Sequence, residues 1–142
     1  KTLDLPAKSN LWDCKKAKTL VIYDSSTANK EFLDRIPKCV EVEEVSSDNP
    51  ELISELLAKR GCNKVLWECG PRLATVAIKS GCINEIASFI APKILGGENS
   101  MNPFGDLEFR EMHKIIELSE SDVRFIGNDI FLKSSLKTNL TS

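Results

Sequence analysis

Glu68-Cys69-Gly70-Pro71-Arg72 is the stretch whose residue types and spacing point to chemistry. A carboxylate ends an apolar run, and Gly-Pro follows two residues later. Gly70 tolerates a sharp turn. Pro71 suits the first position of a helix, where its missing N–H costs nothing. A strand that runs into a helix through glycine aims free backbone N–H groups and the positive end of the helix dipole at one point. Such a point favours a phosphate or another anion. Glu68 then stands at the carboxyl end of the strand, where open α/β sheets place their ligands. The same residues also read as a plain tight turn and a solvated strand end, because a single Glu-x-Gly-Pro is a far weaker motif than a full glycine fingerprint.

The elements that must position this turn lie in Lys64–Gly97. Val65, Leu66 and Trp67 form the apolar run of a buried strand over Lys64–Glu68, with Trp67 in the core. Leu73, Val76 and Ala77 recur at helical spacing, and Gly81 stands where a left-handed C-cap belongs. Ile83–Pro92 has the β-branched and aromatic residues of a second strand. Gly96-Gly97 ends it or approaches a ligand closely.

Upstream, Thr19–Tyr23 is nearly continuous in β-formers, and Asn29–Ile36 reads as a short helix stopped by Pro37. Val40 and Val42 alternate with Glu41 and Glu43 as in a half-exposed strand. Asn49 caps a further helix with Pro50 at its first position, and Leu52, Ile53, Leu56 and Leu57 form its apolar stripe up to Gly61. Strand, helix, strand, helix, strand implies parallel neighbours. Asp24 and Ser25 follow the first strand and point to the same sheet end as Glu68. After Gly97 the pattern changes. Glu98–Asp106 is long enough for a functional flap. Lys114–Ser119 and Asp129–Lys133 read as strands, with Gly127-Asn128 as a turn signal and His113 opening the first. Lys137–Ser142 is polar and reads as a frayed end.

Composition excludes several classes. The chain has 142 residues, 42% of them hydrophobic and 28% charged, which fits one ordinary soluble domain. A net charge of −2 argues against reliance on nucleic-acid phosphates, and Lys15, Lys16 and Lys18 read as a solvated face. No apolar run approaches a membrane span and no secretory signal opens the chain. The five cysteines, Cys14, Cys39, Cys62, Cys69 and Cys82, contain no C-x-x-C pair. They fit a reducing cytosol, hence a cytoplasmic protein, and neither a disulfide framework nor a zinc site. His113 is the single histidine, so no metal site is expected.

WECGPRLATVAIKSGCINEIASFIAPKILGG resembles the reductase domain of the bifunctional riboflavin-biosynthesis deaminase/reductase. That family shows a (V/W)-E-(G/A)-G-P-x-L run, a small helix, G-(L/C)-(V/I)-(D/N)-E, and an apolar strand ending A-P-x-(L/I)-L-G-G. Phe125–Leu132 is similar to the family's closing G-x-D-(V/I) strand, and the opening L-D-L-P with Leu11-Trp12 to the turn after an upstream strand. The resemblance covers almost the whole chain, with three motifs in the right order. It implies a dihydrofolate-reductase-like three-layer α/β/α fold, with a mostly parallel sheet closed by a carboxyl-terminal antiparallel pair. It also implies NADPH-dependent reduction of the ribosylamino side chain of a phosphorylated pyrimidine, and a homodimer joined through sheet-edge strands. By the match, Glu68 contacts substrate and Gly70, Pro71, Arg72, Leu73, Ala74, Thr75 and Val76 hold cofactor. No residue is assigned a catalytic role, since hydride transfer belongs to the nicotinamide.

The chain departs from the family pattern in three ways. The family's first strand, its substrate-contacting helix region and its phosphate-gripping basic residues are not in this sequence. Neither is the deaminase signature, H-x-E with P-C-x-x-C. Cys69 stands where the family usually has Gly or Ala. With no initiator methionine, the chain reads as a carboxyl-terminal fragment of a larger reductase. Two alternatives stay open: another reductase of this fold acting on a pyrimidine or pteridine, and a catalytically silent nucleotide-binding or dimerisation module.

Overall fold

A computed structural model describes residues 5–6, 8–47, 49–97 and 102–137. The chain forms two compact units, Lys1–Ile53 and Ser54–Ser142. In the first, strands β1 (Leu20–Asp24) and β2 (Glu41–Val45) pair in parallel, from Leu20 opposite Glu41 to Asp24 opposite Val45. The short helix α1 (Lys30–Leu33) connects them. Asn29 starts it, its Oδ1 accepting from the Glu31 N–H at 2.9 Å. Val21, Phe32, Val40 and Pro50 are buried here among the described residues. Trp12 tilts against Phe32 with ring centroids 6.0 Å apart, and its indole N–H donates to the Pro6 carbonyl at 3.0 Å.

Helix α2 (Pro50–Lys59) crosses the boundary between the units. Asn49 Oδ1 accepts from the Glu51 N–H at 2.9 Å, as its sequence position implies. Helix α3 (Pro71–Lys79) follows. Both helices end in the same way. Gly61 and Gly81 take φ of +86° and +71°, so the next amide turns back onto the helix. Cys62 N–H donates to Leu57 O, and Cys82 N–H to Ala77 O, each at 3.0 Å. Apart from glycine, most residues resist that backbone conformation.

The second unit is built on an antiparallel sheet in the order β3 (Glu85–Ile90), β5 (Asp129–Leu136), β4 (Leu118–Ile126). β5 is central and the least exposed of the three, with Ser134 buried and its hydroxyl 2.8 Å from that of Ser121. Gly127 (φ +61°) and Asn128 make the tight turn between β4 and β5. A register shift between Ser119 and Asp122 bends β4. Phe89 and Phe131 face each other across the β3–β5 ladder with ring centroids 5.0 Å apart.

Four expectations are corrected. Residues 64–68 join no ladder among the described residues. Val65 is 41% and Leu66 82% exposed, and Trp67 is half-buried rather than core. An apolar run reports a wish to be buried, but a strand also needs a partner for its backbone. The sheet is not mostly parallel either: β1–β2 is the parallel pair, while β3 joins β5 antiparallel. His113 lies in a 3₁₀ turn, Met112–Lys114, and β4 begins only at Leu118. Finally, Cys14 and Cys39 form a disulfide, their Cα atoms brought to 6.2 Å although 25 positions apart. No local spacing announces that pairing, because the turns around β1 and α1 create it. Glu98–Met101 of the expected flap and all but the first residue of the expected frayed end lie outside the described residues.

Closing a loop of this length removes denatured-state entropy equivalent to about 3.5 kcal/mol. Cys39→Ser is therefore expected to lower the stability of the first unit by up to about 3.5 kcal/mol. Urea unfolding followed by Trp12 fluorescence checks this, and identical midpoints for the variant and the oxidised protein would refute it.

Candidate functional site

The Glu68–Val76 segment folds as its residue types dictate up to the helix start, and for a different reason at Gly70. That residue is the N-cap of α3 with φ −72° and ψ 169°, an extended conformation open to any residue. Its distinction is what it lacks. It has no side chain to cap the helix, and no heavy atom lies within 4 Å of where a Cβ would stand. Pro71 occupies the first helical position. Ala74 N–H is the first to close the helix, donating to Gly70 O at 3.1 Å. The N–H groups of Arg72 and Leu73 precede that closure and have no partner among the described residues. No acidic residue stands in the first turn. The result is an uncapped positive helix end with open space in front of it, which suits an anion.

Glu68 lies just before α3, Gly70 is its N-cap, and Pro71–Val76 fall within its first two turns. Glu68 and Arg72 are exposed, while Leu73 and Ala74 are half-buried. Val76 is exposed as well, and Thr75 is buried. An exposed arginine in the first turn opposes the helix dipole, so its charge gains only when an anion arrives. Asp24, in the other unit, has its carboxylate engaged locally: Oδ1 accepts from the Ser26 N–H and Oγ at 2.8 and 2.7 Å. His113 Nε2 sits 3.2 Å from Glu111 on the surface. Gly96 and Gly97 both take positive φ, so they turn the chain after β3.

Two contacts at this site had no signal in the sequence. Gly105, thirty positions away, donates its N–H to Thr75 Oγ at 2.7 Å, and Glu108 reaches Lys79 at 2.6 Å. Gly105 sits in a polar loop where nothing in the spacing singles it out.

A separate cavity of about 260 Å³ opens elsewhere in the second unit, lined by Ser54 and by residues from 62–67 and 82–85. It includes none of Glu68–Val76, so the candidate site is the turn and not this cavity. Trp67 lines it, as do Lys64 and Glu85. Glu85 accepts from Lys133 Nζ at 2.6 Å and lies 3.9 Å from Lys64. The Lys133 hydrogen bond holds the Glu85 carboxyl below its ordinary value of 4.5, against an opposing desolvation, and the charges of Lys133 and Lys64 add to the lowering. Among the described residues no group of three or more His, Cys, Asp or Glu is placed to hold a metal, and no helix is long and apolar enough to cross a membrane.

Comparison with known proteins agrees with this architecture. It is an α/β fold of the type seen in solved pyrimidine-reductase-like chains. The structure of Acinetobacter baumannii RibD matches 95% of this chain and 35% of its own length, with a TM-score of 0.71 at 22% identity. A pyrimidine reductase-like protein from Corynebacterium diphtheriae matches 98% of this chain and 59% of its own, with a TM-score of 0.73 at 21% identity. The chain belongs to the RibD C-terminal domain family, which it matches over residues 1–132. Among curated relatives it is 39% identical over 131 residues to the riboflavin biosynthesis protein RibD of Synechocystis. It is 38% identical over 137 residues to the chloroplastic riboflavin biosynthesis protein PYRR of Arabidopsis thaliana. The chain spans 35% and 23% of the lengths of those two relatives.

The Glu85 pair has a pH signature. A carboxyl whose folded pKa is depressed contributes stability that is present above its unfolded value and lost as pH falls through the folded one. Glu85→Gln is therefore expected to flatten the acid loss of stability below about pH 4.5. Thermal unfolding across that range reads the effect, and an unchanged acid limb would count against the Lys133 pairing.

Proposed function

We propose that this chain is part of an NADPH-dependent reductase of riboflavin biosynthesis, acting on the ribosylamino side chain of a phosphorylated aminopyrimidine and giving the ribitylamino form. Membership of the RibD C-terminal domain family supports the reaction class. The observation that carries the reading is the uncapped amino end of α3, with the N–H groups of Arg72 and Leu73 unpartnered among the described residues and Arg72 exposed in the first turn. These residues suit a dinucleotide phosphate, and the space at Gly70 admits it. The bound nicotinamide supplies the hydride. The chain's own task is alignment. The α3 turn, from Gly70 to Val76, fixes the phosphates, and Glu68 accepts hydrogen bonds from substrate hydroxyl or ring N–H groups two residues before it. Cys69, between them, is half-buried and small enough to leave the turn open.

In this reading residues 64–68 pair with a further strand, which completes a dihydrofolate-reductase-like sheet. The exposure of Leu66 fits a segment that takes up such a partner. β3 and β4 are the two edges of the antiparallel sheet, and Phe89, Val123 and Phe125 on them are exposed. That fits a homodimer joined through sheet-edge strands.

NADPH titration followed by tryptophan fluorescence tests the reading, on this chain and on Gly70→Glu. The new side chain meets nothing within 4 Å of its Cβ, so the fold tolerates it while its carboxylate occupies the anion position. Saturable quenching by the unmodified chain and an affinity weakened by about tenfold or more in the variant are expected. Equal affinity in the two would move the cofactor elsewhere. Binding by this chain without turnover of the phosphorylated aminopyrimidine would favour a silent nucleotide-binding module.

A further inference from the structure

The segment Gly105–Glu108 is tied to α3 at two points, both within the second unit. Near the start of the helix, Gly105 N–H donates to Thr75 Oγ at 2.7 Å and approaches Pro71 O at 3.4 Å. The Thr75 hydroxyl in turn donates to Pro71 O at 2.7 Å. At the end of the helix, Lys79 Nζ meets Glu108 Oε2 at 2.6 Å. Residues 105–108 therefore run along α3 in the direction of the helix. The fit at the first tie is close. A Cβ on Gly105 would stand 3.1 Å from Thr75 Oγ, a tight contact that the Thr75 side chain would have to yield to, and 4.0 Å from Pro71 O, an ordinary one. The second tie is an exposed ion pair, and such pairs contribute little.

The first tie bears on the candidate site through one rigid unit. The Pro71 carbonyl and the Arg72 N–H belong to the same planar peptide, so fixing the oxygen fixes the direction of the N–H. Arg72 N–H is one of the two free donors at the head of α3. Thr75 is buried, and its hydroxyl proton is already given to Pro71. Its use is thus to hold the peptide that carries the donor.

We propose that Thr75 and Gly105 form a latch that orients the Pro71–Arg72 peptide toward a dinucleotide phosphate. Thr75 is a positioning residue acting through the Pro71 carbonyl, and Gly105 reaches the same carbonyl from the neighbouring loop. This rests on the cofactor reading above and adds to it the residues that preorganise the anion site.

The test uses this chain with Thr75→Val, which keeps the shape and removes the hydroxyl, and Thr75→Ser, which keeps the hydroxyl. Two readouts are taken on each: hydrogen exchange of the Gly105 amide by NMR, and NADPH affinity by fluorescence, both well below the unfolding temperature. In the unmodified chain and the serine variant the Gly105 amide is expected to be protected, with similar affinities. In the valine variant, protection is lost and NADPH binding weakens by about tenfold. Recovery of affinity with serine separates positioning from a general loss of packing. A rapidly exchanging Gly105 amide in the unmodified chain, with NADPH still bound, would overturn the latch alone. Lost protection in the valine variant with unchanged affinity would overturn its positioning role. No NADPH binding by the unmodified chain, with Gly105 protected, would overturn the cofactor reading and the positioning role together.

Discussion

A backbone N–H or C=O withdrawn from water must find a partner, and the organisation of this chain follows from how that demand is met. β5 meets it on both sides, pairing with β3 and with β4, and so becomes the centre of the second unit. β1 and β2 meet it with each other and form a separate parallel pair. Helices α2 and α3 close their carboxyl ends by turning a glycine into the left-handed region. The amino end of α3 is the exception. Gly70 offers no side chain, Pro71 offers no N–H, and two donors are left without a partner among the described residues. The candidate site is thus a deliberate gap in an otherwise closed account of backbone hydrogen bonds.

That gap has value only if it is held still. Free donors on a fraying helix end would be reoriented by water, and an anion would meet them at random. Here the first peptide of α3 is gripped from below by the Thr75 hydroxyl, which is itself held by the Gly105 amide. Burial of Thr75, Ala77 and Ile78 anchors the face of the helix turned away from solvent. Arg72 and Val76 remain exposed on the other face. A rigid helix start with an exposed cation beside it binds an anion at low reorganisation cost, whichever phosphate-bearing molecule arrives.

Much of the local structure was legible in the residues. Asn29 and Asn49 cap the helices their positions imply, Gly61 and Gly81 end theirs, and Gly127-Asn128 turns the hairpin, because each of these acts within a few residues of itself. The turn from Glu68 to Arg72 was legible for the same reason. The strand expected at 64–68 was not delivered. Its apolar run carried information about burial and none about a backbone partner, and neither sheet supplies one. The parallel arrangement expected for β3 failed similarly. Direction is decided by which strand lies alongside, and that strand, β5, comes some forty residues later.

By itself, the sequence determined the starts and glycine ends of α2 and α3, the tight turns and the location of an uncapped helix start, since capping and turn formation are local and depend on residue type. Helix α1 ends at Leu33 rather than reaching Ile36. Its motifs also placed it beside its family, as the match over residues 1–132 agrees. Only the tertiary structure decided that Cys14 meets Cys39, that Ser121 meets Ser134, and that Gly105 closes on Thr75. Each of those contacts joins residues that no short period links. Their formation depends on where the chain returns after many residues, a property of the whole packed fold and of its pairing rules rather than of any segment.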